Sequence, residues 1–199
     1  PGEGKSTVIS NLALTIAQSG KRVLLIDCDL RKPSIHKKFN ISNLNGLTNL
    51  LVQDKKAEDV VIRYKQNVDI LTSGTIPPNP SEILSSNKMK LFISTCTKEY
   101  DFVLMDTPPV TLVTDAQILS SMADGVLYVV CLGKIGIEDA VKGKKLLKNV
   151  NAKILGIVMN KCKNERSRKY GYYLKTQKRG VIFRRDEKFN MKNDILLTL

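Results

Sequence analysis

The chain is 199 residues long, 42% hydrophobic and 26% charged, with a formal net charge of +13. This is enough for one α/β domain with a real core, and no apolar run reaches the about 18 residues that a membrane span needs, nor does a signal peptide show. Cys28, Cys96, Cys131 and Cys162 lack C-x-x-C spacing and the chain has one histidine, His36, so reduced thiols of a cytosolic protein are expected rather than a disulfide framework or a His-rich metal site. His36 itself reads as a surface or helix-start residue.

Pro1-Gly-Glu-Gly-Lys-Ser-Thr7 carries the tail of a phosphate-binding loop of the form G-x-x-x-x-G-K-[ST]. Glycines let backbone N–H groups turn toward a phosphate, Lys5 reaches the β/γ-phosphates, and Ser6 offers a hydroxyl to Mg²⁺. An amphipathic helix over Val8–Ala17 follows and stops at Ser19-Gly20. The chain opens at Pro1, part-way through this loop, so the first loop glycine and the strand feeding it are expected upstream, near the sheet centre, and the sequence reads as an N-terminally truncated fragment.

Val23-Leu-Leu-Ile26 is a continuous apolar run ending at Asp27, as suits a parallel strand buried on both faces. Residues 28–46 read as a loop with one helical turn. Leu47–Val52 and Ala57–Tyr64 read as short helices, and Val68–Leu71 as a strand. Pro77-Pro-Asn-Pro80 is a rigid linker, after which Ser81 is expected to cap a helix that breaks near Ser85–Asn87 and resumes to about Lys98. Phe102–Met105 is a buried strand ending at Asp106, and Thr107-Pro-Pro109 stops it. A helix over Asp115–Met122, a strand over Gly125–Leu132, a helix marked by Ile137, Ala140, Val141, Leu147 and Val150, and a strand over Ile154–Met159 complete the pattern. Alternating strands and helices imply a doubly wound, mainly parallel α/β sheet of the P-loop NTPase kind. Residues 1–162 form the nucleotide-binding domain in this reading. Residues 163–199 hold eleven Lys and Arg against four Asp and Glu, a net +7, and read as a basic tail with at most a weak late helix.

Asp27, Asp29 and Asp106 fall at or just past the C-terminal ends of strands, the edge at which open α/β sheets bind ligands. Mg²⁺ bridging nucleotide phosphates takes few protein oxygens and several waters. Asp106 suits the metal-holding position, and Asp27 and Asp29, two residues apart, face the metal or an incoming hydroxyl. Arg31 either pairs with Asp29 or touches a phosphate.

Together, Pro1–Thr7, Val23-Leu-Leu-Ile-Asp-Cys-Asp-Leu-Arg-Lys-Pro33 and Phe102-Val-Leu-Met-Asp-Thr-Pro-Pro109 resemble the Walker A, A′ and B motifs of the bacterial tyrosine kinases of capsular and exopolysaccharide synthesis, with D-x-D-x-R in the second and D-x-P-P in the third. Pro78–Leu84 and Asp124–Val130 also resemble segments of that family, so the resemblance covers about residues 1–162. It implies ATP and Mg²⁺ as cofactors and autophosphorylation on a C-terminal tyrosine cluster, here Tyr170, Tyr172 and Tyr173. It implies that Gly2, Glu3, Gly4, Lys5, Ser6 and Thr7 bind nucleotide, that Ser6, Asp27 and Asp106 hold the metal, and that Lys5, Asp27 and Asp29 act in catalysis. The implied partners are a transmembrane polysaccharide copolymerase that activates the kinase at the inner membrane face, further copies of the chain in a homo-oligomer, and a cognate phosphatase.

Three departures from the family pattern stand out. The tyrosine cluster is short and 26 residues follow Tyr173, Gly133–Glu138 lacks the expected Thr/Arg-rich sequence, and the arginine-containing oligomerisation helix would precede Pro1. The competing reading is a nucleotide-switched ATPase of the division-site or partition type, whose signature lysine would also precede Pro1. A nucleic-acid binder using Tyr170, Tyr172, Tyr173 and Phe183 among the tail cations is disfavoured by the complete nucleotide site.

Overall fold

The computed structural model describes residues 2–131, 133, 136–161, 182–183 and 194–198. In chain order the elements are α1 (Lys5–Gln18), β1 (Val23–Asp27), α2 (Ile35–Phe39), α3 (Leu47–Gln53), α4 (Ala57–Val60), β2 (Ile62–Lys65), β3 (Val68–Leu71), α5 (Pro80–Ser85), α6 (Asn87–Glu99), β4 (Phe102–Asp106), α7 (Asp115–Ser120), β5 (Gly125–Cys131), α8 (Ile137–Asn149), β6 (Ile154–Asn160), β7 (Ile182–Phe183) and β8 (Asp194–Thr198). The strands form one sheet in the order β2-β3-β1-β4-β8-β5-β6-β7. The inner strands are parallel, and only the edge strands β2 and β7 run antiparallel to their neighbours.

The apolar runs fold as strands because both faces of the sheet are covered. Val23, Leu25, Phe102, Leu104 and Leu196 point to one face and pack with Ile9, Ala13 and Ala17 of α1 and with Ile35 and Phe39 of α2. Leu24, Ile26, Val103, Met105, Val126 and Leu197 point to the other, against Leu47, Leu84, Met89, Ile93 and Leu119 from α3, α5, α6 and α7. All five residues of β1 and of β4 are buried. The two side-chain sets alternate with the period of two that a pleated strand imposes.

Three local expectations change. The stretch Ala57–Tyr64 is helical only over Ala57–Val60; the backbone turns extended at Val61 and Ile62–Lys65 becomes the edge strand β2. Its half-buried Ile62 and Tyr64 alternate with exposed Arg63 and Lys65, a two-residue period that suits an edge strand better than a helix. The helix expected to be capped by Ser81 begins two residues earlier, with Pro80 at its first position and Asn79 at the cap position, and the Ser81 hydroxyl is used elsewhere. Asp194–Thr198 is a strand rather than a weak late helix: β8 pairs in parallel with β4 from Phe102↔Asp194 to Asp106↔Thr198, and with β5 from Gly125↔Leu196 to Leu127↔Thr198. Leu196 and Leu197, both buried, suit this central position.

Cys28 and Cys96 are buried free thiols and Cys131 is buried in β5; Cys162 lies outside the described residues. His36 sits in the first turn of α2, half-buried.

Candidate nucleotide and phosphoryl-transfer site

The loop ahead of α1 turns at Gly4, whose φ of 96° and ψ of 18° are left-handed. A Cβ there would stand 2.1 Å from Asn160 Nδ2, so backbone freedom and lack of side chain are both required. The N–H groups of Thr7 and Val8 donate to the Gly4 carbonyl at 3.1 and 2.9 Å and start the helix. The remaining first-turn N–H groups, with the positive end of the helix dipole, face the cleft where an anion binds best. Lys5, 8% exposed, is ion-paired with Glu3. Burial pushes the Glu3 carboxyl up, but the hydrogen bond and charge of Lys5 pull it further down, so it titrates below its ordinary range.

The sheet brings the carboxylates together. Asp27 and Asp106 are register partners on the adjacent parallel strands β1 and β4, so their side chains leave the same face side by side, about 5 Å apart at the backbone. Both are almost fully buried. Asp27 Oδ2 accepts from the N–H groups of Ser34 and Ile35 at 2.9 Å each, and Oδ1 from Asp29 N–H at 3.2 Å. It thus ties the loop back to the start of α2. Burial is the main force pushing Asp27 up to about 6, partly opposed by those N–H donors. Burial pushes Asp106 up to about 8, the Asp27 charge adds to it, and a hydrogen bond with Ser6 and the Lys5 charge oppose it. Thr198 Oγ1 lies 3.5 Å from Asp106 Oδ1, and Thr107 Oγ1 donates to Thr198 O at 2.7 Å.

Asp29 is half-buried and stands in the loop beyond β1, so its direction is set by a turn rather than by strand alternation. Its Oδ1 accepts from Arg31 N–H at 3.2 Å and Lys32 N–H at 2.9 Å. Of the two alternatives for Arg31, neither describes its main contact: the guanidinium grips Asp115, with Nε to Oδ2 at 2.8 Å and Nη2 to Oδ1 at 3.0 Å. Burial and the neighbouring carboxylates push the Cys28 thiol well up, so it is no nucleophile.

Gly2, Gly4, Lys5, Ser6, Thr7, Asp29, Arg31, Lys32 and Lys38 line a cleft of about 970 Å³ with Thr107, Pro108, Pro109, Asn160 and Lys161, at the upper end of the range typical of ligand sites. Three lining residues have no local sequence signal: Lys38 Nζ donates to Thr7 Oγ1 at 2.8 Å, Asn160 Nδ2 to Glu3 O at 2.7 Å and Lys161 Nζ to Gly2 O at 2.5 Å; nor does Asp115, which binds Arg31 from 84 positions away. Tyr170, Tyr172 and Tyr173 lie outside the described residues.

The donor set fits Mg²⁺ with a nucleotide. A hydroxyl and two carboxylates, all hard oxygens, converge beside the phosphate loop, and the raised Asp27 and Asp106 carboxyls show a buried pair that a cation would neutralise. No cluster of three or more His, Cys, Asp or Glu poised for a metal exists among the described residues.

Fold and site together define a P-loop nucleotide-binding domain, and comparison with known proteins agrees. A family model described as "ParA: NUBPL iron-transfer P-loop NTPase" matches residues 1–193. The tyrosine-protein kinase YwqD of Bacillus subtilis is 48% identical over 174 residues, covering 87% of this chain and 73% of the relative. The crystal structure of the chimerical protein CapA2B2 is 44% identical with a TM-score of 0.78, over 81% of this chain and 72% of that one. The septum site-determining protein MinD of Pyrococcus horikoshii, complexed with Mg-ADP, is 26% identical with a TM-score of 0.69, over 83% and 68%. Within the P-loop NTPases, the chain belongs to the family of bacterial tyrosine-protein kinases.

Proposed function

We propose that this chain transfers the γ-phosphoryl group of ATP to tyrosine, with Tyr170, Tyr172 and Tyr173 as its own acceptors, in the service of capsular or exopolysaccharide synthesis and control of chain length. The observation that carries the reading is the convergence of Lys5 and Ser6, at the head of α1, with the register pair Asp27–Asp106. Lys5 and the N–H groups of Gly4–Ser6 bind the phosphates. Ser6, Asp27 and Asp106 would hold Mg²⁺, which neutralises charge on the phosphate oxygens when bound. Asp29, at the cleft surface, accepts the phenolic proton as the tyrosine oxygen bonds to phosphorus and the bond to ADP breaks. Burial of the site favours such charge-directed transfer.

A transmembrane copolymerase that activates the kinase at the inner membrane face, a homo-oligomer and a resetting phosphatase belong to the same reading. No helix of the described residues is long and apolar enough to cross a membrane.

Incubation with Mg-ATP is expected to give phosphotyrosine within Tyr170–Tyr173. Lys5→Met abolishes it, and simultaneous replacement of Tyr170, Tyr172 and Tyr173 by Phe removes it. Undiminished labelling of the triple variant overturns the acceptor assignment. Steady ADP release without phosphotyrosine favours the nucleotide-switched ATPase, the reading that the likeness to MinD keeps in play.

A further inference from the structure

Asp115 opens α7 and is fully buried, 84 positions from the Arg31 that it binds. A buried carboxylate is tolerated when its oxygens are matched by donors, and this one is. Arg31 supplies the bidentate fork at 2.8 and 3.0 Å, and Ser81, in the first turn of α5, donates its hydroxyl to Oδ1 at 2.6 Å. Arg31 Nη2 also donates to Ser81 Oγ at 3.1 Å, closing a triangle between three chain segments. Burial pushes the Asp115 carboxyl up, but the Arg31 and Ser81 hydrogen bonds and the Arg31 charge outweigh it and hold it below its ordinary range.

The grip is informative because of what Arg31 carries. Its backbone N–H, with that of Lys32, holds Asp29 Oδ1, while Asp27 anchors the loop's other end through Ser34 and Ile35. Fixing the Arg31 side chain therefore fixes the turn on which Asp29 stands. We propose that Asp115, aided by Ser81, is a positioning residue for phosphoryl transfer: by clamping Arg31 it holds the turn that presents the Asp29 carboxylate to the cleft. Ser81 and Asp115 join α5 to α7 directly, so a purely architectural staple would not need Arg31. A guanidinium acting directly on phosphate would not need Asp115.

The inference rests on the role given to Asp29, and Asp29→Asn tests that role by itself. The assay is the initial rate of phosphotyrosine formation by the full chain against ATP concentration, with the affinity for a fluorescent ADP analogue measured in parallel. Arg31→Lys retains the charge but not the planar fork. Arg31→Lys and Asp115→Asn are expected to lower the maximal rate about tenfold each, the size usual for loss of an outer-shell hydrogen bond. Ser81→Ala lowers it by about threefold, and half-saturating ATP and ADP affinity stay within about twofold of wild type. The Arg31→Lys/Asp115→Asn double variant falls no further than the worse single one, because both act through one clamp. Where Asp115→Asn does not fold, Arg31→Lys and Ser81→Ala decide. A wild-type maximal rate in Arg31→Lys, or a loss confined to nucleotide affinity, overturns the inference while leaving Asp29 in place. A wild-type rate in Asp29→Asn instead removes the reading beneath it.

Discussion

Asp106→Asn separates what the site needs from what the fold prefers. The Asp106 carboxyl rises from an ordinary 3.8 to about 8, first through burial and then through the Asp27 charge. An acid whose folded value is raised binds more protons folded than unfolded, so its contribution to stability falls as pH rises from about 4 to 8 and stays low above. At pH 7 the Asp106 carboxylate is therefore a net burden on the nucleotide-free fold, on the order of a few kcal/mol, since each unit of displacement is worth about 1.4 kcal/mol. Asparagine has the same shape, keeps an oxygen to accept from Ser6, and carries no charge. The variant should therefore melt above wild type at pH 8 without nucleotide, by about 2–4 °C for each kcal/mol recovered, and the difference should shrink steadily toward pH 4. Mg-ADP should raise the wild-type midpoint but leave the variant's almost unmoved, and phosphotyrosine formation should be lost. Melting curves between pH 4 and 8, with and without Mg-ADP, read all of this. A variant that melts below wild type at pH 8, with an unchanged pH slope, would refute the reasoning.

Gly4→Ala forces a Cβ to within 2.1 Å of Asn160 Nδ2 at a left-handed φ. About 1–3 kcal/mol of stability and most affinity for a fluorescent ADP analogue should go with it, checked by denaturant melts and titration. Leu104→Ala, at a fully buried position of β4, should cost about 2–5 kcal/mol, measured by urea unfolding. Leu197→Ala should cost a similar amount, since Leu197 is fully buried in β8; a silent substitution there would remove β8 from the sheet. Asp115 is held below its ordinary range, so its stabilising grip on Arg31 is complete above the ordinary carboxylate value and lost as pH falls through the lower folded one. Melting of Asp115→Asn should accordingly approach that of wild type at the acid end of the titration.

The nucleotide edge was legible because its residues announce themselves locally. A glycine turn before a helix and an apolar run stopped by aspartate are short-range patterns, and register then placed Asp27 beside Asp106. The family relation was equally readable in those motifs, and the kinase relatives match it. What the sequence hid is set by tertiary contact. Arg31 finds Asp115 from 84 positions away and Asn160 finds Glu3 from 157, separations at which no periodicity speaks. Ala57–Tyr64 misled because its first four residues favour a helix while its last four alternate as an edge strand. Ile195-Leu-Leu197 is too short an apolar run, in too basic a neighbourhood, to suggest a central strand.

That central strand bears on how the sheet comes into being. Among the described residues, the four strands from β2 to β4 and the three from β5 to β7 meet only through β8. Two half-sheets can gather locally, but their seam closes only when residues 194–198 arrive, across a chain separation of 92 from Phe102 to Asp194. Such long-range closure is slow relative to local pairing. Among the described residues, β4 and β5 present open strand edges until residues 194–198 are in place, and edges of that kind are where aggregation starts.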